Sequence, residues 1–108
     1  MGNHDYGDYT EWESISAKEK NLQDLFKFHQ KMGFDLLLNE SRKIEKTDEE
    51  IALIGVENWG AGRFKKAGDL SKSLTEVDKN DFKILLTHDP SHWAVSYTHL
   101  TLPTILLV

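Results

Sequence analysis

The feature that most constrains this chain is a short apolar run with polar ends, Lys83-Ile84-Leu85-Leu86-Thr87-His88. Three successive large aliphatic residues leave no polar face, and the run is too short for a packed helix. It therefore reads as a buried strand over 83–87 that ends at His88. A buried strand needs partners beside it and cover above it, and the rest of the chain offers both. Lys43 to Glu45 and Ile51 to Val56 flank the charged turn Lys46-Thr47-Asp48-Glu49-Glu50, which predicts a hairpin. Phe34 to Leu38 is a further apolar run suited to a strand.

Helices are signalled in two places. Ser16 and Glu19 have capping-box spacing, Leu22, Leu25, Phe26, His29 and Met32 share one face, and Gly33 stops the segment. Asp69 can cap a shorter helix running to about Val77. Between hairpin and second helix, 58–68 contains three glycines and reads as an ordered loop. The expectation is a mixed α/β (α+β) chain with polar residues gathered where strands end.

The formal charge of -5 argues against nucleic acid as a partner, because phosphate backbones are bound by clustered Lys and Arg. No stretch approaches the roughly 20 apolar residues of a membrane span, so no membrane segment is expected. The polar start Met1-Gly2-Asn3-His4-Asp5 lacks the basic and apolar regions of a signal peptide. With no cysteine, disulfides, thiolate nucleophiles and Cys-ligated zinc are excluded.

The chemistry gathers in two short motifs. Gly2-Asn3-His4-Asp5 stands at one end, and Leu86-Thr87-His88-Asp89-Pro90 follows the buried strand at the other. Between them lie Leu36-Leu37-Leu38-Asn39-Glu40 and Ile54-Gly55-Val56-Glu57-Asn58-Trp59-Gly60. In this order the four segments resemble a bacterial branch of the calcineurin-like metallophosphoesterases. The first is similar to the third of that family's five motifs and the strand-end histidine to the fourth. The resemblance spans Met1 to about Trp93.

What it implies is specific. The fold would be part of a four-layer α/β/β/α sandwich. The activity would be hydrolysis of a phosphate mono- or diester by metal-bound hydroxide, with a phosphate ester as substrate. Two divalent ions, Mn, Fe or Zn, would lie about 3.5–4 Å apart. By the same resemblance Asn3 and His88 would ligate one metal. His4 would face the scissile ester as a catalytic residue, with Asp5 orienting its ring. An amide oxygen and an imidazole suit those metals better than a Mg cage.

Each residue also has a plainer reading. Asn3 could be a turn residue, His4 and Asp5 an exposed pair, and His88 a packed histidine at a strand end. His29 reads as structural, His92 could line the mouth of the site, and His99 has no role. Trp59, Tyr6, Tyr9 and Trp12 are either a substrate rim or a small satellite core.

Two departures limit the resemblance. The family's Asp-x-His and Gly-His-x-His motifs are not among these 108 residues, and its second motif, Gly-Asp with a further Asp, is expected upstream of the first segment, so residues 1–93 are expected to be an internal fragment lacking most metal ligands. From Ser91 onward there is no Asp, Glu, Lys or Arg. Within that stretch, Val95-Ser96-Tyr97-Thr98-His99-Leu100-Thr101-Leu102-Pro103-Thr104 resembles a translated reading frame of a transposase sequencing adapter. Residues 94–108 are therefore expected to be a non-native tail. The rival expectation for the polypeptide itself is a non-catalytic fragment or interaction module without a complete metal site.

Overall fold

The computed structural model describes residues 1–58, 60, 66–89 and 104–107, the last four by their backbone alone. The chain is mixed α/β, as its sequence predicts. In order it forms α1 (Ile15–Lys31), β1 (Glu40–Lys46), β2 (Glu49–Gly55), α2 (Leu70–Ser73), β3 (Phe82–Leu86) and β4 (Thr104–Leu107). The sheet order is β1-β2-β3-β4. β1 and β2 are antiparallel, with Ile44 opposite Ile51, and Thr47 adopts a left-handed φ of 58° in the turn between them. β3 runs parallel to β2, with Leu85 opposite Ile54.

Alternation along β2 sorts its side chains onto two faces. Ala52, Ile54 and Val56 are buried on one, where Ile54, Val56, Leu70 and Leu85 form the core with Leu74 and Val77 packed against it. α2 is held on this face through Ser73, whose single hydroxyl proton is shared between Asp69 O at 2.8 Å and Gly55 O at 3.2 Å. Asp69 caps the helix by accepting from Lys72 N at 2.9 Å. The helix itself is only four residues long, shorter than the predicted run to Val77.

The opposite face carries Leu53, Gly55 and Leu86, which line a cavity of about 420 Å³ with Leu36, Leu37 and Met1 across it. The segment 34–38, predicted as a strand, forms none. Leu37 lies over Gly55 instead, where a Cβ would come within 2.3 Å of its own. Only glycine at 55 admits this approach, and Leu36 and Leu37 pack across the strand rather than beside it.

α1 starts one residue before the predicted capping serine. Ser14, in extended backbone, is the N-cap and accepts from Ala17 N at 3.1 Å, which leaves Ser16 inside the helix. At the other end Gly33 N bonds Gln30 O and Phe34 N bonds His29 O, both at 3.0 Å, a Schellman closure around Gly33. His29 Nδ1 lies 2.9 Å from Leu25 O, the structural role expected of it. No residue of α1 is buried.

β4 extends the ladder parallel to β3, with Thr104 opposite Lys83 and Leu107 opposite Leu86. The sequence expectation is a non-native tail, with a genuine terminal strand, which its Thr and Leu content would suit, as the plainer reading. Backbone pairing is indifferent to a segment's origin. An open β3 edge is a template, and Thr-Ile-Leu-Leu is uncharged and apolar. Trp59, His92 and His99 lie outside the described residues.

Candidate functional site

The two chemistry-bearing motifs, 86 residues apart at Gly2 and His88, meet at the carboxyl end of the parallel pair β2/β3. A Cβ placed on Gly2 would lie 2.6 Å from His88 Cδ2 and 2.8 Å from Nε2, so the backbone of the first motif rests on the imidazole of the second. With a side chain at position 2 the His88 ring would have to shift away. His88 is itself exposed and borders the 420 Å³ cavity together with Thr87, Leu86, Val56 and Met1. The carboxyl ends of parallel strands are the usual location of ligand sites in α/β sheets.

Within the first motif the side chains diverge. Asn3 Nδ2 donates to Tyr9 Oη at 3.0 Å. The donor half of the amide is thereby engaged, and Oδ1 has no hydrogen-bond partner among the described residues. His4 stacks on Tyr9 with ring centroids 4.4 Å apart and planes 18° apart. Asp5 does not hydrogen-bond the His4 ring. Its carboxylate accepts from Gly2 N at 2.7 Å while its own N donates to Gly2 O at 3.1 Å. The reason is local: a short carboxylate reaches the backbone amide three residues before it more readily than the neighbouring ring. Tyr9, not Asp5, is the group that sets the His4 ring.

The aromatic residues divide accordingly. Tyr9 is 52% exposed and lies at the surface. Trp12 Nε1 donates to Gly7 O at 2.8 Å and closes the loop on itself. Tyr6 is 4% exposed and belongs to the interior.

Tyr6 opens onto a polar network whose importance the sequence reading missed. Its hydroxyl donates to Glu57 Oε1 at 3.1 Å and accepts from Asn58 N at 3.2 Å. Burial pushes the phenol's pKa up, with the nearby Glu57 carboxylate adding to the rise against a lowering by the Asn58 amide. Glu57 in turn accepts from Asn39 Nδ2 at 2.9 Å. Asn39 is 6% exposed and sits at φ 55°, a left-handed conformation that asparagine tolerates. Its Nδ2 also donates to Ala67 O at 2.8 Å, while Oδ1 accepts from Glu57 N at 3.1 Å and Asp69 N at 2.8 Å. One buried amide thus ties the end of β2 to the return of the 58–68 loop and to the cap of α2. On the other side, Asp89 Oδ2 accepts from Gly60 N at 2.8 Å. The sequence carries a signal for this network in the two amide–carboxylate pairs Asn39-Glu40 and Glu57-Asn58.

Among the described residues no group of three or more His, Asp or Glu side chains could hold a metal ion. The donors at hand are an amide oxygen and one imidazole, which suit part of the shell of a single Mn, Fe or Zn ion. Among the same residues no helix is long and apolar enough to cross a membrane. No protein-family model, curated protein or solved structure matches this chain.

Proposed function

We propose that the chain is the central part of a metal-dependent phosphoesterase domain of four-layer α/β/β/α architecture, and that its site hydrolyses a phosphate mono- or diester. The observation that carries this reading is the contact of Gly2 with the His88 ring, which joins two sequence-distant motifs at one strand end. Asn3 Oδ1 and His88 would hold one divalent ion, Mn, Fe or Zn. Such ions lower the pKa of bound water and neutralise charge on phosphorus. His4, exposed and stacked on Tyr9, would donate a proton to the leaving oxygen or stabilise charge there. Asp5 supports this only indirectly, by closing the turn that carries Asn3 and His4.

Two donors do not make a dinuclear centre, since even single catalytic zinc sites have three protein ligands. The 108-residue chain is therefore expected not to hydrolyse a nitrophenyl phosphate ester with added manganese. A version extended with sequence carrying Asp-x-His, Gly-Asp and Gly-His-x-His motifs is expected to do so. In that form His4→Ala and Asn3→Ala each lower the rate by at least about a hundredfold, the scale of general-acid catalysis. Undiminished turnover in both variants would defeat the assignment.

A second reading has one observation in its favour. α1 buries no residue, and Ile15, Phe28, Met32 and the following Phe34 are all 49% exposed or more. A non-catalytic interaction module would present such a helix to a partner.

A further inference from the structure

We infer that Glu57, Asn58 and Gly60 act as a two-armed brace that sets the separation of Asn3 from His88, with Tyr6 and Asp89 as its positioning residues. This rests on the metal-ligand reading of Asn3 and His88 given above. Tyr6 follows Asn3 by three residues, and its buried hydroxyl is held at both ends, by Glu57 Oε1 and by Asn58 N. Asp89 directly follows His88, and its carboxylate is held by Gly60 N. The turn between them is closed by Asp89 N donating to Thr87 Oγ1 at 3.3 Å. Both motif-bearing turns therefore reach the same few residues from opposite sides. Gly2 against the His88 ring is where the two turns meet.

The brace is itself fixed. Asn39 binds Glu57 through both halves of its amide, and Asn58 O accepts from Ala67 N and Gly68 N, each at 2.9 Å. Glu57 follows Val56, which with Ile54 of β2 is in the core. The first of these turns is thus referred to the buried core of the sheet. Metal ligation tolerates errors of only about 0.2 Å in bond length, so donors on two loops need such a common reference.

A merely structural role for these bonds would move stability and nothing else. A positioning role moves the Gly2–His88 contact and metal affinity while the β2/β3 ladder stays intact. The test uses the isotope-labelled 108-residue chain in solution NMR, with Zn²⁺ alone as the probe. The wild-type chain is expected to show a cross-peak between Gly2 Hα and the His88 ring, and a His88 shift on zinc addition. Tyr6→Phe keeps the ring but removes the hydroxyl, and Asp89→Ala removes the other arm. Each is expected to weaken the cross-peak and lower zinc affinity about tenfold, as loss of one or two hydrogen bonds implies. Asp89→Asn retains an acceptor oxygen and is expected to restore both.

If both variants keep the cross-peak, the brace is overturned. If wild-type His88 ignores zinc while the cross-peak behaves as expected, the metal reading fails and the brace stands. Should Tyr6→Phe lose the ladder amide pattern, Glu57→Gln and Asp89→Ala decide the matter by the same cross-peak.

Discussion

The sheet with α2 and the helix α1 are two differently built regions of one chain. In the first, Ile54 and Leu85 are fully buried and face each other across a parallel pair, and α2 is anchored through Ser73 to the backbone of Gly55. In the second, seventeen residues form a helix with a side-chain N-cap and a Schellman closure, yet none of them is buried. Local signals suffice to start and stop a helix. They do not decide what covers it. The polar bonds divide the same way: those around Asn39 join residues 18 to 30 apart in sequence, whereas the capping bond of α1 joins Ser14 and Ala17.

The comparison breaks most visibly under truncation of apolar side chains. Leu85→Ala is expected to destabilise the chain by about 2–5 kcal/mol, since it removes a fully buried side chain and leaves a cavity. Phe28→Ala, at a residue 56% exposed on α1, is expected to change stability by no more than about 0.5 kcal/mol. Urea unfolding followed by circular dichroism measures both. Equal losses at the two sites would mean that α1 is packed in solution and that the two regions form a single cooperative unit.

A smaller effect separates the regions by pH. The Tyr6 phenol is pushed up from its ordinary value by burial. The unfolded phenol ionises near pH 10 and the folded one only above that, so the unfolded state alone gains from deprotonation between them. Stability contributed by Tyr6 is whole below about pH 10 and is lost as pH rises further. Tyr6→Phe is expected to cost about 1–2 kcal/mol at neutral pH, for the two hydrogen bonds of its hydroxyl, and to flatten the loss above pH 10. Urea midpoints between pH 7 and 11 give both quantities. A variant whose midpoint falls with pH as steeply as the wild type would show that another group carries the alkaline transition.

How much of this was legible beforehand follows from the same division. The hairpin and the buried strand are readable because apolar period and charged turn both speak locally, but the turn is shorter than the expected 46–50: β1 runs on to Lys46 and β2 begins at Glu49, which leaves Thr47 and Asp48 between them. Segment 34–38 was misread because its fate depends on Gly55, across the sheet, having no side chain. The candidate residues Asn3, His4, Asp5 and His88 were selected by resemblance. That Gly2 touches His88 is a tertiary fact no local pattern contains. The Asn39–Glu57–Tyr6 network was invisible for a related reason. Buried polar residues look like surface residues until the partners that satisfy them are known.

The smallest expected effect concerns the start of α1, where two serines compete for one role. Ser16 has Glu19 three residues on, the spacing of a capping box, but Ser14 holds the extended backbone a cap requires and accepts from Ala17 N. Ser14→Ala is therefore expected to cost about 1 kcal/mol of local helix stability, and Ser16→Ala close to nothing. Because no residue of α1 is buried, neither change should move the unfolding midpoint of the sheet region much. Amide hydrogen exchange resolves the two levels, since local opening is read residue by residue. Faster exchange across the first turns of α1 in Ser14→Ala, with β2 and β3 amides unchanged, is the expected pattern. If β2 amides accelerate as well, the helix and the sheet are coupled, and the exposed face of α1 is covered by something the two regions share in solution.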